Sequence, residues 1–353
     1  MASKGRTGAR AALEWDSSRR PTINDIARLA QVSKKTVSRV INQSPFVKND
    51  TRERVAAIMS ELGYVPDPQA RGLAFRRSFL IGLVYDNPNP QYVIDMQQGI
   101  LDAVRGSGFE LLVHPCDRAS PNFLTDVRTF VERQKLFGVV LPPSVSEDER
   151  LAKLLTDIDC GYVRIASVVL DASPSMVVTH DNRGGYQAAR HLAELGHRVV
   201  AHISGPDTFR SAHERRRGFV EGLVEGGVEL PSHLRCEGAY TFDSGLACAD
   251  KLLRLSPRPT AIFTGNDEMA AGVYQAARNL GLEIPRDLSV VGYDDSPLAA
   301  RLWPPLTTVK LPIREMGRTA ALKLIGDREP DPAAKPTEFE PALIARASTA
   351  PPP

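Results

Sequence analysis

Residues 21–66 read PTINDIARLAQVSKKTVSRVINQSPFVKNDTRERVAAIMSELGYVP, and the spacing of apolar residues there sets the first domain. Thr22 followed by Asp25 forms a helix-start box, with Ile23, Ile26, Ala27 and Ala30 as the apolar face behind it. This helix ends near Gln31. Ser33 caps a second helix, in which Val37, Val40 and Ile41 share one face at helical spacing. A third starts at Asn49 or Asp50, places Val55, Ile58, Met59 and Leu62 at i, i+3, i+4 and i+7, and stops at Gly63. Two short helices across a tight turn, then a third, predict an all-α helix-turn-helix headpiece over residues 21–66. The outward face of the second helix carries Lys34, Lys35, Thr36, Ser38 and Arg39, donors suited to phosphate oxygens and base edges. A small three-helix bundle with a merely solvated polar face is the alternative.

Charge favours the first of these readings. Residues 1–77 carry 15 Lys and Arg against 7 Asp and Glu, leaving 29 against 35 for the rest of a chain that totals 44 against 42. A basic head on an acidic body is the footprint of a polyanion met by the head alone. Residues 1–20 are basic but lack the apolar stretch of a secretory signal, and no run of roughly 18 apolar residues occurs anywhere. A disordered basic arm and a cytoplasmic protein are therefore expected, with no membrane partner.

From Phe79 onward, short apolar runs such as LIGLVYD, GVVLP, RVVAHISG, TAIFTGND and LSVVGYDD alternate with helical segments. That pattern predicts parallel sheets covered on both faces. A helix–Gly–strand echo in AVRGSGFELLV, HLAELGHRVVAHISG and QAARNLGLEIPRDLSVVGYDD points to two similar doubly wound lobes. Such sheets bind ligands beyond the carboxyl ends of their strands, and those ends are polar here: Asp86–Asn87, Gly205–Asp207, Asn266–Asp267 and Asp294–Asp295. Asn and Asp with a nearby Arg suit a polyhydroxylated ligand, although the same residues also serve as turns and helix caps. Asp267 and Asp295 are assigned to that structural role. There is no G-x-G-x-x-G, Walker A or G-x-S-x-G element, and the seven histidines form no metal or nucleophile motif. Neither enzymatic activity, nor a cofactor, nor a metal is expected. Cys116, Cys160, Cys236 and Cys248 are scattered and read as reduced thiols without a disulfide framework.

The segment T-I-x-D-I-A-x-x-A-x-V-S-x-x-T-V-S-R-V-I-N, residues 22–42, resembles the DNA-binding headpiece of the lactose-repressor/galactose-repressor (LacI/GalR) family, and the match extends over residues 21–74. The resemblance implies that the helix from Ser33 enters the major groove, with Lys34 and Lys35 setting specificity. Thr22, Ser33, Thr36, Ser38, Arg39 and Asn42 complete the implied DNA contacts. Residues 67–77 read alone as an ordinary linker, and the resemblance makes them a hinge helix whose Leu73 enters the minor groove, with Ala70 beside it. One departure is Gln31, where the family usually has glycine. At positive φ it would cost roughly 1 kcal/mol.

The resemblance also makes residues 78–346 a core similar to periplasmic sugar-binding proteins. It implies three crossings between lobe 1 (about 79–178 and 310–325) and lobe 2 (about 180–308 and 338–346), and the terminal segment, ending STAPPP, reads by itself as a disordered tail, 347–353. SAHERRRGF puts the implied ligand arginine on Arg215, GNDEMAAG an asparagine on Asn266, and VGYDD an aspartate on Asp294. Asn87 and Tyr92 are candidates from the first lobe, Tyr92 as a stacking ring or a core aromatic. Many sugar-responsive members have glutamine where this chain has Leu311, which suggests a partly apolar ligand face. The implied protein is a homodimeric repressor that binds operator DNA and a small effector, a mono- or disaccharide. A corepressor system sensing a nucleobase or other metabolite stays open, as does, remotely, a solute-binding module without regulatory role.

Overall fold

The computed structural model describes residues 19–41, 46–64, 78–171, 176–326 and 336–353. The expectations for the basic arm up to residue 18, for Asn42, and for the hinge with Ala70 and Leu73 lie outside the described residues. The chain divides into two compact units, Met1–Ser78 and Phe79–Pro353.

In the first unit, helices α1 (Ile23–Leu29), α2 (Lys34–Ile41) and α3 (Asn49–Glu61) surround a core of Ile26, Ala27, Ala30, Val37, Val40 and Val55. Ile58, Met59 and Leu62 pack against it as their spacing predicts. The start of α1 is fixed by Asp25, whose carboxylate accepts the Thr22 backbone N–H at 2.9 Å and the Thr22 hydroxyl at 2.6 Å. Arg19 pairs with the same carboxylate at 2.8 Å. Ser33 caps α2 by accepting the Thr36 N–H at 3.0 Å. Between the two helices Gln31 lies at φ 52°, the left-handed conformation that glycine adopts without cost.

The second unit holds two six-stranded sheets. The first contains β1 (Leu80–Tyr85), β2 (Glu110–Pro115), β3 (Gly138–Leu141), β4 (Gly161–Ala166), β5 (Met176–Val178) and β11 (Thr337–Glu338), in the order β11-β5-β4-β3-β1-β2. All its pairings are parallel. The second contains β6 (Val200–Ser204), β7 (Arg235–Glu237), β8 (Ala261–Thr264), β9 (Ser289–Asp294), β10 (Thr307–Lys310) and β12 (Ala342–Ile344), in the order β12-β10-β9-β8-β6-β7. Only β12 runs antiparallel to its neighbour, β10. The central strands β3, β6, β8 and β9 are buried along their whole length, as sheets covered by helices on both faces require. In each lobe the first strand lies inside the second, so the order reverses beside β1 and beside β6 and opens a crevice at the strand ends.

The chain crosses between lobes three times. The crossings run from β5 into α7 (Asp181–Glu194), from β10 into α12 (Ile313–Ile325), and from β11 into β12. The last departs slightly from the sequence reading, because Thr337 and Glu338 pair with Val177 and Val178 in lobe 1 before the chain enters lobe 2. Helix α12 packs on α4 (Pro90–Val104) in lobe 1, and α7 packs on α8 (Arg210–Glu225) in lobe 2. Both pairs approach to backbone contact. A Cβ on Gly99 of α4 would meet the Arg314 carbonyl oxygen at 1.9 Å, and one on Gly218 of α8 would meet that of Asn182 at 1.7 Å.

Two expectations need correction. The tail 347–353 is not a free end. Ser348 is fully buried, its carbonyl accepts the Val290 N–H at 2.9 Å, and its hydroxyl accepts the Thr307 N–H at 2.7 Å. Ala350 donates to Ser289 at 3.0 Å. The segment supplies partners to main-chain and hydroxyl groups of β9 and β10 that would otherwise be buried unpaired. Cys236 and Cys248 are joined by a disulfide rather than being reduced thiols, since β7 and α9 (Phe242–Leu253) bring their Cα atoms to 5.8 Å. Cys116 and Cys160 are in no disulfide.

Candidate functional site

Two surfaces carry chemistry, one in each unit. On the headpiece, the core side of α2 is Val37 and Val40, which turns Lys34, Lys35 and Arg39 to solvent. Thr36 and Ser38 are half-buried beside them, and Ser33 and Thr22, each at a helix start, are exposed. A cationic stripe on one helix face is an arrangement that receives phosphates and offers side chains to base edges.

The second surface is a narrow cleft between the lobes. It brings together Asn87, Tyr92, Arg215, Asn266 and Asp294, which the sequence places up to 207 positions apart (87 to 294). Arg215 stands at its centre, on the second turn of α8. Its Nε donates to Asp181 at 2.8 Å, its Nη1 donates to the Gly265 carbonyl at 2.5 Å, and its Cζ lies 3.7 Å from the centre of the Tyr293 ring. Burial opposes the charge on Arg215, yet Asp181, Tyr240, Tyr293 and Asp294 together hold its pKa above the ordinary value. The guanidinium is thus aimed and permanently charged.

Asp294 is held differently. It ends β9 at φ 104°, a backbone region costly for any residue but glycine, followed by Asp295 at φ 56°. The strained turn points the Asp294 carboxyl into the cleft, where among the described residues only Asn89 hydrogen-bonds to it, by a long contact of 3.4 Å to Oδ2. Arg215 Nη1 stops 3.8 Å short of Oδ1, which is buried without a hydrogen-bond partner. Burial pushes this carboxyl well above the usual carboxylate range, against the pull of Arg215. An acceptor left this way, beside a fixed cation, is a site waiting for a hydroxyl or amide donor.

Asn266 does double duty as the N-cap of α10 (Asp267–Asn279). Its Oδ1 accepts the Met269 N–H at 2.9 Å and its Nδ2 donates to the Tyr240 carbonyl at 3.0 Å. Asn87 likewise accepts the Asn89 N–H at 2.9 Å in a local turn while lining the cleft. Tyr92 is buried but faces the cleft, and burial raises its hydroxyl pKa far above that of free tyrosine. Asp267 and Asp295 are structural. Asp267 accepts from Thr308 at 2.6 Å and from the Ser296 N–H at 2.7 Å, its pKa pushed up to about 7 by burial, and Asp295 pairs with Arg346 at 2.6 Å.

Sequence reasoning missed Asn89, Asp181, Thr179, Phe209 and Tyr240, all of which line the cleft. Asn89 and Asp181 look like helix-start residues, and that signal hides their second use: Asn89 does cap α4, by accepting the Gln91 N–H at 3.0 Å. Phe209 and Tyr240 stand edge to face with centroids 5.3 Å apart and supply apolar wall together with Leu311.

Residues 22–67 match the family described as bacterial regulatory proteins, lacI family, and residues 189–349 match the periplasmic binding protein-like domain. The HTH-type transcriptional regulator DegA of Bacillus subtilis is 34% identical over 337 residues, covering 94% of this chain and 98% of that protein. Among solved structures, the complex of the transcriptional regulator CelR with cellobiose is 33% identical, covers 93% of this chain and all of that one, and superposes with a TM-score of 0.69. The lac repressor dimer bound to operator and the anti-inducer ONPF is 28% identical over 94% of this chain and all of that one, with a TM-score of 0.78.

Proposed function

The chain belongs to the LacI family of DNA-binding bacterial regulators, and on that premise we propose that it is a repressor released from its operator by a mono- or disaccharide bound between the lobes. The observation that carries the effector reading is the unpaired Oδ1 of Asp294 beside the fixed Arg215 guanidinium. Adjacent sugar hydroxyls can donate to the first and accept from the second, while Tyr92, Phe209 and Leu311 cover the apolar face of a ring. Asn87 and Asn266 orient the remaining hydroxyls. CelR, whose structure holds cellobiose, supports the saccharide class.

On the DNA side, Lys34 and Lys35 read base edges, and Thr22, Ser33, Thr36, Ser38, Arg39 and Asn42 fix the helix on the phosphates. Ala70 and Leu73 act in the minor groove. Two copies bind a near-palindromic site as a homodimer in the cytoplasm, at the nucleoid when operator-bound. The effector lowers operator affinity only by its preference for the non-binding state.

The test is binding to a labelled operator from the upstream region at fixed salt, with and without a saccharide panel. One sugar should weaken binding, and Arg215→Ala should abolish that response while DNA affinity stays within about twofold. Binding that appears only with an added nucleobase or other metabolite would reverse the sign and make this a corepressor system. No specific binding under any condition would overturn the regulator assignment to this operator.

A further inference from the structure

The crossings between lobes bring together a second set of ligating side chains, none of which lines the cleft. Strands β5 and β11 run parallel, with Val178 opposite Glu338 and the Phe339 N–H donating to the Val178 carbonyl at 2.8 Å. Both strands end there and both chains continue into lobe 2. The residues just beyond the pairing therefore meet: His180 Nε2 lies 2.9 Å from an Oε of Glu338 and 3.8 Å from an Oε of Glu340. All three ligand atoms fall within 4.8 Å of one another. No sequence motif announces this set, since 158 positions separate His180 from Glu338.

We propose that His180, Glu338 and Glu340 bind a divalent transition-metal ion such as zinc, and that the ion ties the first and third crossings together. Donors around a tetrahedral ion with bonds of about 2.1 Å sit roughly 3.4 Å apart, which the two His180 distances bracket. One imidazole with two carboxylates is a borderline donor set that suits zinc, cobalt or nickel better than magnesium or calcium. His180 is partly covered and both glutamates are open to solvent, so a water completes the shell. The two carboxylates outnumber Arg183, which contacts Glu340 and is the cation that the metal must displace. His180 must also be neutral and free at Nε2 to coordinate. The neighbours of His180 in the chain, Thr179 and Asp181, line the cleft, and Asp181 holds Arg215. An ion at His180 thus constrains the backbone that positions the effector site.

The experiment is calorimetric titration of zinc chloride into the full-length protein, stripped with chelator and with the Cys236–Cys248 disulfide left intact. One equivalent per chain is expected, with affinity reduced about tenfold or more in His180→Asn and in Glu338→Gln. Asparagine is chosen because residue 180 sits at φ 44°, which asparagine tolerates. Unchanged far-ultraviolet circular dichroism and melting of both variants separate ligand loss from misfolding. Cobalt in place of zinc should give visible bands without a thiolate charge-transfer band. No saturable binding, affinity within threefold of wild type in both variants, or a thiolate band placing the ion on cysteine would each overturn the proposal.

Discussion

Replacing Gly218 by alanine separates two lines of reasoning by sign. Gly218 lies inside α8, and helix propensity alone forecasts a gain of about 1 kcal/mol for Gly→Ala. Packing forecasts the reverse. The new methyl would sit 1.7 Å from the Asn182 carbonyl oxygen, and contacts below 3.0 Å are not sustained, so the obstacle is backbone rather than a side chain that can swing aside. Helices α7 and α8 must move apart along a seam that buries Ala188, Ala189, Phe219 and Leu223. Overpacking of this kind costs about 1–3 kcal/mol, and we expect a net loss in that range after the propensity gain. Gly161→Ala is the control, because its methyl would meet nothing closer than 3.6 Å. Urea unfolding followed by circular dichroism should show a lowered midpoint for Gly218→Ala and little change for Gly161→Ala. Asn182 and Gly218 flank Asp181 and Arg215, so the sugar response at the operator should weaken too. A Gly218→Ala protein as stable as wild type, with an intact response, would refute the packing argument.

Other expectations follow from buried chemistry. His202 donates its Nδ1–H to the Phe263 carbonyl at 3.0 Å, which fixes Nδ1 as the protonated nitrogen, and burial lowers its pKa from 6.5 to about 4. The unfolded chain therefore binds the extra proton first, and stability present above pH 6.5 is lost as pH falls toward 4, by on the order of 3 kcal/mol. His202→Gln should flatten that slope in pH-dependent unfolding, and an unchanged slope would remove His202 as its source. Thiol titration of air-purified, denatured protein should find two reactive cysteines per chain and four after reduction, since Cys236 and Cys248 are paired. Four without reductant would mean the pair is open in solution. Gln31→Gly should stabilise the headpiece by roughly 1 kcal/mol, read as slower amide exchange in α1 and α2, because it relieves φ 52°. Equal exchange rates would show that the turn carries no such cost.

How far the sequence reaches depends on whether a signal is local. The capping box at Thr22 and Asp25 and the Ser33 cap span a few residues and have the geometry those residues imply, whereas the left-handed turn at Gln31 follows from the family's usual glycine and not from glutamine itself. The strands of both lobes are legible for the same reason, as continuous apolar runs. Arg215, Asn266 and Asp294 were reached through a family resemblance, and the fold does gather them in one cleft. What stayed hidden is non-local. The partner of Arg215 is Asp181, 34 positions earlier, on a different helix. Ser348 lies in a segment that composition assigns to disorder, and its worth appears only where β9 and β10 offer their amides. Cys236 and Cys248, 12 apart, could not be paired until a strand and a helix fixed their separation.

The three crossings also govern the order in which the protein can be made. Lobe 1 begins the second unit, yet its last helix, α12, and its edge strand, β11, leave the ribosome only after nearly all of lobe 2. Until then the face of α4 that includes Met96 and Gly99, against which Gly317 and the backbone at Arg314 finally close, has nothing to cover it. Lobe 2 can assemble its central strands during synthesis, whereas lobe 1 must wait as an open half-structure. Slow translation or truncation before residue 313 would therefore strand the earlier lobe, not the later one, with its apolar helix face exposed to aggregation.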